Sequence, residues 1–256
     1  MKTGIFITAR LGSTRLQRKH LLEVEGKALL QYLLERISRE FLSEIAQGEA
    51  EIVIVTSDLP ENREFERFFG DGVHVFYGPD ANIPLRHLQG ALRRGIARIV
   101  AVDGDDILCS VTAMRRVYGA LRDGAPYAKT SGLPFGMNCF GYQTAFLEDA
   151  LGGHHGETLE TGWGRIFDNS SLKEFPMRLD GGELPLRFSL DYQEDFQFFE
   201  SVITAVGKGI AGASDKEIVS VAAKNEFYKI NADIAEAYQR NFNQAIDMEA
   251  RGNESK

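Results

Sequence analysis

The 256-residue chain is 43% hydrophobic and 26% charged, with a net charge of −8, proportions of a soluble folded enzyme with room for one large core. Such an acidic balance argues against nucleic acid as a partner, because a phosphate backbone demands a basic face; a local cationic loop can still take one small nucleotide. No apolar run approaches the roughly 18 residues that span a bilayer, and the first residues lack a signal-peptide pattern. Cys109 and Cys139 stand outside any zinc or disulfide spacing, so the expected compartment is a reducing cytoplasm, with no membrane association.

The chain opens on Gly4 to Lys19, where an apolar run (Ile5, Phe6, Ile7) ends at Ala9-Arg10 and a loop with Gly12, Ser13 and Thr14 follows. Arg10, Arg15, Arg18 and Lys19 place four cations within ten residues. Small residues let backbone N–H groups approach oxygen and the cations neutralise charge, so the loop suits a polyphosphate. A solvated basic turn after a strand is the plainer alternative. Gly26 to Ala46 reads as a helix, with Leu29, Leu30, Leu33, Leu34, Ile37 and Phe41 at helical spacing. Glu51 to Val55 is a buried strand ending at Thr56-Ser57-Asp58, and Asn62 to Phe69 a second helical patch. Val73 to Tyr77 is a strand that stops at Gly78-Pro79, followed by a helix from about Pro84 to Arg94 with proline in its first turn. Ile99 to Val102 runs into Asp103-Gly104-Asp105-Asp106, and Val111 to Leu121 is helical.

Strands alternating with helices indicate an α/β fold with a mainly parallel sheet. Ligands bind beyond the carboxyl ends of the strands in such sheets, and here all of those ends are polar or glycine-rich. After residue 125 the rhythm changes: Tyr127 to Phe140 is strand-like, Gly152 to Ser171 is a polar insert around Trp163, and Leu184 to Leu190 returns as a strand. The expectation is a single domain over 1–256, with 125–190 as an antiparallel extension or lid and 207–256 as a C-terminal helical segment. Tyr192 to Val206 and Ile230 to Glu249 read as helices, and Arg251 to Lys256 as a solvated tail. His154-His155 lacks spaced partners and reads as a surface turn. Trp163 could stack on a ligand or pack the insert.

Ala9-Arg10-Leu11-Gly12-Ser13-Thr14-Arg15-Leu16-Gln17-Arg18-Lys19, followed by Gly26-Lys27, Thr56-Ser57-Asp58, Gly104-Asp105 and Asp191-Tyr192-Gln193-Glu194-Asp195, resembles in content and order the motifs of the cytidylyltransferases that make CMP-activated sugars. The 3-deoxy-manno-octulosonate enzymes and, more so, the spore-coat-polysaccharide branch are similar over about the first 200 residues, and the stretch around Asn231 fits the latter. The resemblance implies a Rossmann-like nucleotidyltransferase fold, a homodimer, and a reaction in which an acceptor oxygen attacks the α-phosphate of CTP. It also implies site residues. Arg10, Ser13 and Lys19 would hold the triphosphate with Arg15 nearby and Ala9 and Gly12 in the same loop. Ser57, Asp58, Arg86 and Asp103 would lie near the nucleotide, and Asp105 and Asp191 would bind Mg2+. Arg10, Lys19, Asp105 and Asp191 are the residues implied to carry the chemistry.

Two aspartates plus phosphate oxygens suit magnesium, which prefers hard oxygen ligands. Nucleotidyl transfer mostly requires positioning and charge neutralisation, so no separate general base is nominated. Asp105 and Asp106, or Asp191, could instead cap the helices that follow them. The acceptor side departs from the family: Asp103 stands where the octulosonate enzymes have glutamine. Gly136-Met137-Asn138-Cys139-Phe140 replaces a segment with two acidic residues, and Glu160-Thr161-Gly162-Trp163 replaces E-H-V-T. A sugar acid of octulosonic or nonulosonic type is the expected acceptor. A phosphorylated or phosphonate acceptor, or a nucleotide-binding relative without chemistry, is the alternative. A dehydrogenase is disfavoured because the first loop lacks G-x-G-x-x-G.

Overall fold

The computed structural model describes residues 1–180 and 184–254. Strand β1 (Lys2–Thr8) leads to a hairpin of β2 (Glu23–Val24) and β3 (Lys27–Ala28), then to α1 (Leu29–Glu40) and α2 (Leu42–Ala46). Next come β4 (Ala50–Ser57), β5 (Val73–Gly78), α3 (Ile83–Arg94), β6 (Ile96–Asp103) and α4 (Val111–Arg122). The later part holds β7 (Tyr127–Ser131), β8 (Phe140–Gln143), α5 (Thr144–Leu151), β9 (Leu172–Pro176), α6 (Gln193–Val206), α7 (Asp215–Lys224) and α8 (Ile234–Glu254). The order across the seven-stranded sheet is β5-β4-β1-β6-β8-β7-β9. Only β8 runs against its neighbours; the other adjacent pairs are parallel. This is the mainly parallel α/β sheet that the strand–helix alternation predicts.

Side-chain alternation divides the core in two. Along β1, Ile5 and Ile7 face one layer, with Leu33 and Ile37 of α1, Val117 of α4 and Val202 of α6. Phe6 faces the other, with Leu88 and Ala91 of α3, Leu147 of α5, and Trp163 and Phe167 of the insert. Burying a side chain of this size stabilises by about 1.5–3 kcal/mol, so these two faces set the rigidity of the strand ends between them. The chain steps outward from β1 to β4 and β5, then crosses to the far side of β1 for β6. Strand order therefore reverses between β1 and β6, whose last residues Thr8 and Asp103 are paired. A crevice opens at such a reversal.

Several boundaries differ from the sequence expectations. Glu25 and Gly26 have φ of 50° and 73°, forming the two-residue turn of the β2–β3 hairpin. The helix consequently begins at Leu29 and breaks at Phe41. The patch from Asn62 is a 3-10 helix over Pro60–Phe68. Leu184 to Leu190 joins no sheet apart from one bridge between Phe135 and Arg187. Its neighbours are loops, with the Phe188 N–H donating to the Phe135 carbonyl at 2.7 Å and the Leu190 N–H to the Asp105 carbonyl at 2.9 Å. The sheet edge is instead taken by β9, which follows directly on the polar insert. Helix α5 is an addition to the expected elements, and α7 falls within the expected helical segment over 207–256. The expected tail is helical through Glu254, because Asn253 is tied back to Thr158; Ser255 and Lys256 lie outside the described residues. No described helix is long and apolar enough to cross a membrane.

Two predictions follow from these contacts. Gly136 has φ of +83°, and a Cβ there would stand 2.2 Å from the Phe188 carbonyl oxygen. Gly136→Ala should cost about 2 kcal/mol or more, lowering the melting temperature by roughly 4–8 °C; an unchanged melting curve would contradict the packing. His87, wholly buried on α3, has Nε2 2.8 Å from Thr8 Oγ1 and Nδ1 2.6 Å from the Tyr142 hydroxyl. Burial, with Arg86 alongside, pulls its pKa down to about 3. The unfolded imidazole takes its proton near pH 6.5, so this contribution is complete above that pH and is lost as pH falls toward 3. Melting temperatures measured across that interval should fall less steeply for His87→Gln than for the wild type.

Candidate active site

The crevice beyond β1 and β6 is a cleft of about 970 Å³. Its floor carries Ala9, Gly12, Ser13 and Thr14 of the first loop, together with Asp103, Asp105 and Asp106. The loop is anchored from below: the Leu11 N–H donates to Asn62 Oδ1 at 2.8 Å, and the Asn62 amide donates to the Ser57 hydroxyl at 2.7 Å. Ser57 is thus wholly buried in a supporting role, and neither it nor the exposed Asp58 lines the cleft. Arg86 does line the cleft, but its Nε and Nη2 donate to the carbonyls of Pro79 and Asp80 at 2.8 and 2.6 Å. Burial draws its pKa down to about 10.

Asp191 is the centre of the charged groups. Arg15 Nη2 and Lys19 Nζ donate to its Oδ1 at 2.7 and 3.1 Å, and Arg187 Nη2 donates to its Oδ2 at 2.7 Å. Lys19 Nζ also donates to Asp105 Oδ2 at 2.6 Å, while His20 Nε2 lies 2.9 Å from Asp105 Oδ1. Arg10 pairs with Glu160 of the insert at 2.6 Å. The structure therefore brings Arg10, Arg15, Lys19, Asp103, Asp105 and Asp191 to one cleft, with each of these cations already facing a carboxylate. Among the described residues no three His, Cys, Asp or Glu side chains form a group able to hold a metal ion.

The carboxyl groups are not equivalent. Burial works against the ionised Asp105, but Lys19 and His20 outweigh it and hold the carboxyl well below the ordinary range. Asp103 opens onto the cleft yet is walled by protein around it; that desolvation, with Asp105 close by, pushes its carboxyl up to about 7. Burial, with Asp103 and Asp105 alongside, raises Asp106 well above the usual value. Neither Asp105 nor Asp106 caps the next helix, because Ser110 does so, its Oγ accepting the Ala113 N–H at 2.9 Å. Nor is Asp191 a cap: Asp195 Oδ2 accepts the N–H groups of Asp191 and Tyr192 at 2.9 and 3.1 Å.

Sequence reasoning missed the shell that orients Asp191. Leu186, Phe188 and Leu190 enter the core, so the intervening Arg187, Ser189 and Asp191 turn away from it. Arg187 also donates from Nε to Asp195 Oδ1 at 3.0 Å, and Asn231 Nδ2 donates to that same oxygen at 2.9 Å. The Arg187 guanidinium lies 5.0 Å from the Phe135 ring and 4.4 Å from that of Tyr238. The period-two alternation of polar and apolar residues was a usable signal for Arg187; for Asn231 the signal was the resemblance of the stretch around it, which did not show its contact with Asp195.

Helix α8 supplies the remaining wall through Tyr238, Asn241, Phe242, Ala245, Met248 and Glu249. None of its residues is fully buried; polar ties hold it instead. Glu249 accepts from the Thr161 N–H at 2.8 Å and from Arg165 at 3.1 Å, and Asn241 donates to the Tyr192 hydroxyl at 2.9 Å. Trp163 is buried against His87, Phe140, Tyr142 and Phe167, so packing the insert is its main task, although one side reaches the cleft. Asn138 closes its loop by donating to the Leu133 carbonyl at 3.1 Å, a bond a carboxylate cannot donate.

Comparison with known proteins places this geometry. Residues 5–145, more than half of the chain, match a family model described as cytidylyltransferase. An uncharacterised protein of Methanocaldococcus jannaschii is 29% identical over 153 residues, 59% of each chain. A 3-deoxy-manno-octulosonate cytidylyltransferase of Hydrogenovibrio crunogenus is 38% identical over 111 residues, 43% of this chain and 40% of that one. The matched stretch thus spans between about two-fifths and three-fifths of these relatives' length. In structure, a cytidylyltransferase from Leptospira borgpetersenii superposes with a TM-score of 0.71 at 22% identity, covering 88% of this chain and 95% of that one. CMP:2-keto-3-deoxy-manno-octonic acid synthetase, solved with CTP, superposes with 0.58 at 16% identity, covering 80% and 99%. A 4-diphosphocytidyl-2C-methyl-D-erythritol synthase from Anaerococcus prevotii gives 0.54 at 15% identity, covering 78% and 94%. These structural likenesses speak for the fold, and the family match speaks for kinship: the chain belongs to the cytidylyltransferase family.

Proposed function

We propose that this chain transfers CMP from CTP to an oxygen of a small acidic acceptor, a sugar acid of octulosonic or nonulosonic type, and releases pyrophosphate. The observation that carries the reading is the convergence of Lys19, Arg15, Asp105 and Asp191 at the point where strand order reverses. The family match supports cytidylyl transfer, and the octulosonate named in the Hydrogenovibrio relative supports the acceptor class.

Arg10, Arg15 and Lys19, with the backbone of Gly12 and Ser13, would take the triphosphate. Each cation must leave a carboxylate to do so, and the carboxylates left behind add to the negative charge that the triphosphate brings, which a divalent ion would offset in part. Asp105 and Asp191 would hold Mg2+, which supplies charge neutralisation at the α-phosphate. Their oxygens fit that ion: both are hard donors, and both already converge on a single cationic centre at 2.6 and 3.1 Å. With only two carboxylates, phosphate oxygens and water would complete the shell. Arg187 and Asp195 hold Asp191 in place throughout, since a transferring phosphoryl group is accelerated by charges that need no rearrangement. The α8 wall with Phe140 and Trp163 would exclude water from the acceptor.

The test is pyrophosphate release with magnesium, crossing CTP, UTP, ATP and GTP with a panel of sugar acids, sugars and small phosphate or phosphonate acceptors. Release is expected for CTP with a sugar acid. Silence across the panel, with CTP still raising the melting temperature, would favour a binding protein without chemistry. Asp105→Asn and Asp191→Asn should each lower kcat by about 100-fold or more, with thermal stabilisation by CTP retained; full turnover in either would remove it from the reaction. Phe242→Ala should raise KM for the acceptor about 10-fold and leave KM for CTP within about two-fold. Equal changes in both constants would count against α8 as an acceptor wall.

A further inference from the structure

The two carboxylates assigned to the metal do not face open space. Asp105 Oδ2 and Asp191 Oδ1 both receive Lys19 Nζ, at 2.6 and 3.1 Å, and the Lys19 side chain is only 7% exposed. The other cations each touch only one of the two carboxylates. Arg187 takes the opposite oxygen of Asp191 and is tied to Asp195. Arg15 shares Oδ1 of Asp191 with Lys19, at 2.7 Å, but from a far more exposed position, its side chain 39% accessible, and it does not reach Asp105; His20 lies against the other oxygen of Asp105. Lys19 alone therefore bridges the two carboxylates. A divalent ion drawn to both would have to enter where the ammonium already lies, and two cations sharing one pair of carboxylates repel strongly at such distances.

We propose that Lys19 is an internal counter-ion that keeps the divalent-cation seat closed until the triphosphate arrives, so that metal binding is conditional on nucleotide. The inference rests on the reading of Asp105 and Asp191 as metal ligands. Lys19 is suited to the exchange because its charge is a compact ammonium on a flexible four-carbon stem. It follows directly on the phosphate loop, at the first residue of the 3-10 turn Lys19–Leu21. Phosphate oxygens entering the loop offer new anions to Lys19 and to the exposed Arg15, and their departure leaves both carboxylates facing the incoming phosphates. The fixed partners, Arg187 on Asp191 and His20 on Asp105, stay behind to keep the vacated oxygens in position. Coupling of this kind is reciprocal: whatever removes Lys19 favours the metal, and the metal disfavours the return of Lys19.

The experiment measures Mn2+ uptake by the nucleotide-free protein, by electron paramagnetic resonance titration, in the wild type, Lys19→Met and Lys19→Arg. Lys19→Met keeps a long stem without the charge and should bind Mn2+ at least 10-fold more tightly than the wild type. Lys19→Arg should remain closed. The added affinity should vanish in the double variant Lys19→Met, Asp105→Asn, which locates it at this pair. If a folded Lys19→Met binds Mn2+ no better than the wild type, while wild type with CTP does bind it in a manner sensitive to Asp105→Asn, the counter-ion role is wrong and the metal reading stands. If Asp105→Asn has no effect on Mn2+ in any state, the metal reading itself fails and the inference with it. A wild-type protein that takes up Mn2+ at this pair without nucleotide, as tightly as Lys19→Met does, also overturns it, and that measurement needs no variant to fold well.

Discussion

The structure depends on one charge balance: Asp191, buried at the wall of the cleft, is shared by Arg15, Lys19 and Arg187. A carboxylate removed from water is costly unless it is both paired and hydrogen-bonded. Here the compensating groups come from distant parts of the chain: the first loop, the extended segment before α6, and Asn231 beyond α7, which orders Asp195. The balance thereby ties the C-terminal third to the nucleotide end of the sheet. The same groups have two uses. While the cleft is free they neutralise one another, and on the proposed reading they are redistributed between phosphate and metal when CTP enters.

The backbone makes that arrangement possible. Because β6 returns to the far side of β1, Thr8 and Asp103 end side by side, and the loops leaving them diverge around a crevice. The two apolar layers hold both strands, so the first loop and Asp103 to Asp106 are positioned by the stiffest part of the molecule. Clustering four carboxyl groups there, Asp103, Asp105, Asp106 and Asp191, has a consequence that lysine and histidine only partly offset: Asp105 stays ionised beside Lys19 while Asp103 and Asp106 are driven toward their neutral forms. A site of this kind attracts a cation, and the resident one is Lys19.

The half of the cleft proposed to take the acceptor is built differently. Its walls are the insert around Trp163 and α8, joined through polar bonds at Glu249 and Asn253 with no fully buried α8 residue. Hydrogen bonds made near water contribute little net stability each, so this wall is more readily displaced than the sheet. The change to Asn138 also has a structural cause, since its amide both donates to and accepts from the backbone of Leu133.

The sequence by itself determined the α/β class, and it marked the first loop, Asp105 and Asp191 as charged groups at strand ends, which the fold gathers in one cleft. Each of these is encoded locally, in an apolar run that stops at a polar loop, and such patterns persist whatever the chain does elsewhere. Only the tertiary structure decided that Ser57 is sealed behind Asn62, that Leu184 to Leu190 threads between loops instead of joining the sheet, and that α8 walls the cleft. It also decided that Lys19 bridges two aspartates separated from it by 86 and 172 positions. The reason is physical: a buried ion pair is set by which segments meet at one point in space, and no local spacing records that meeting.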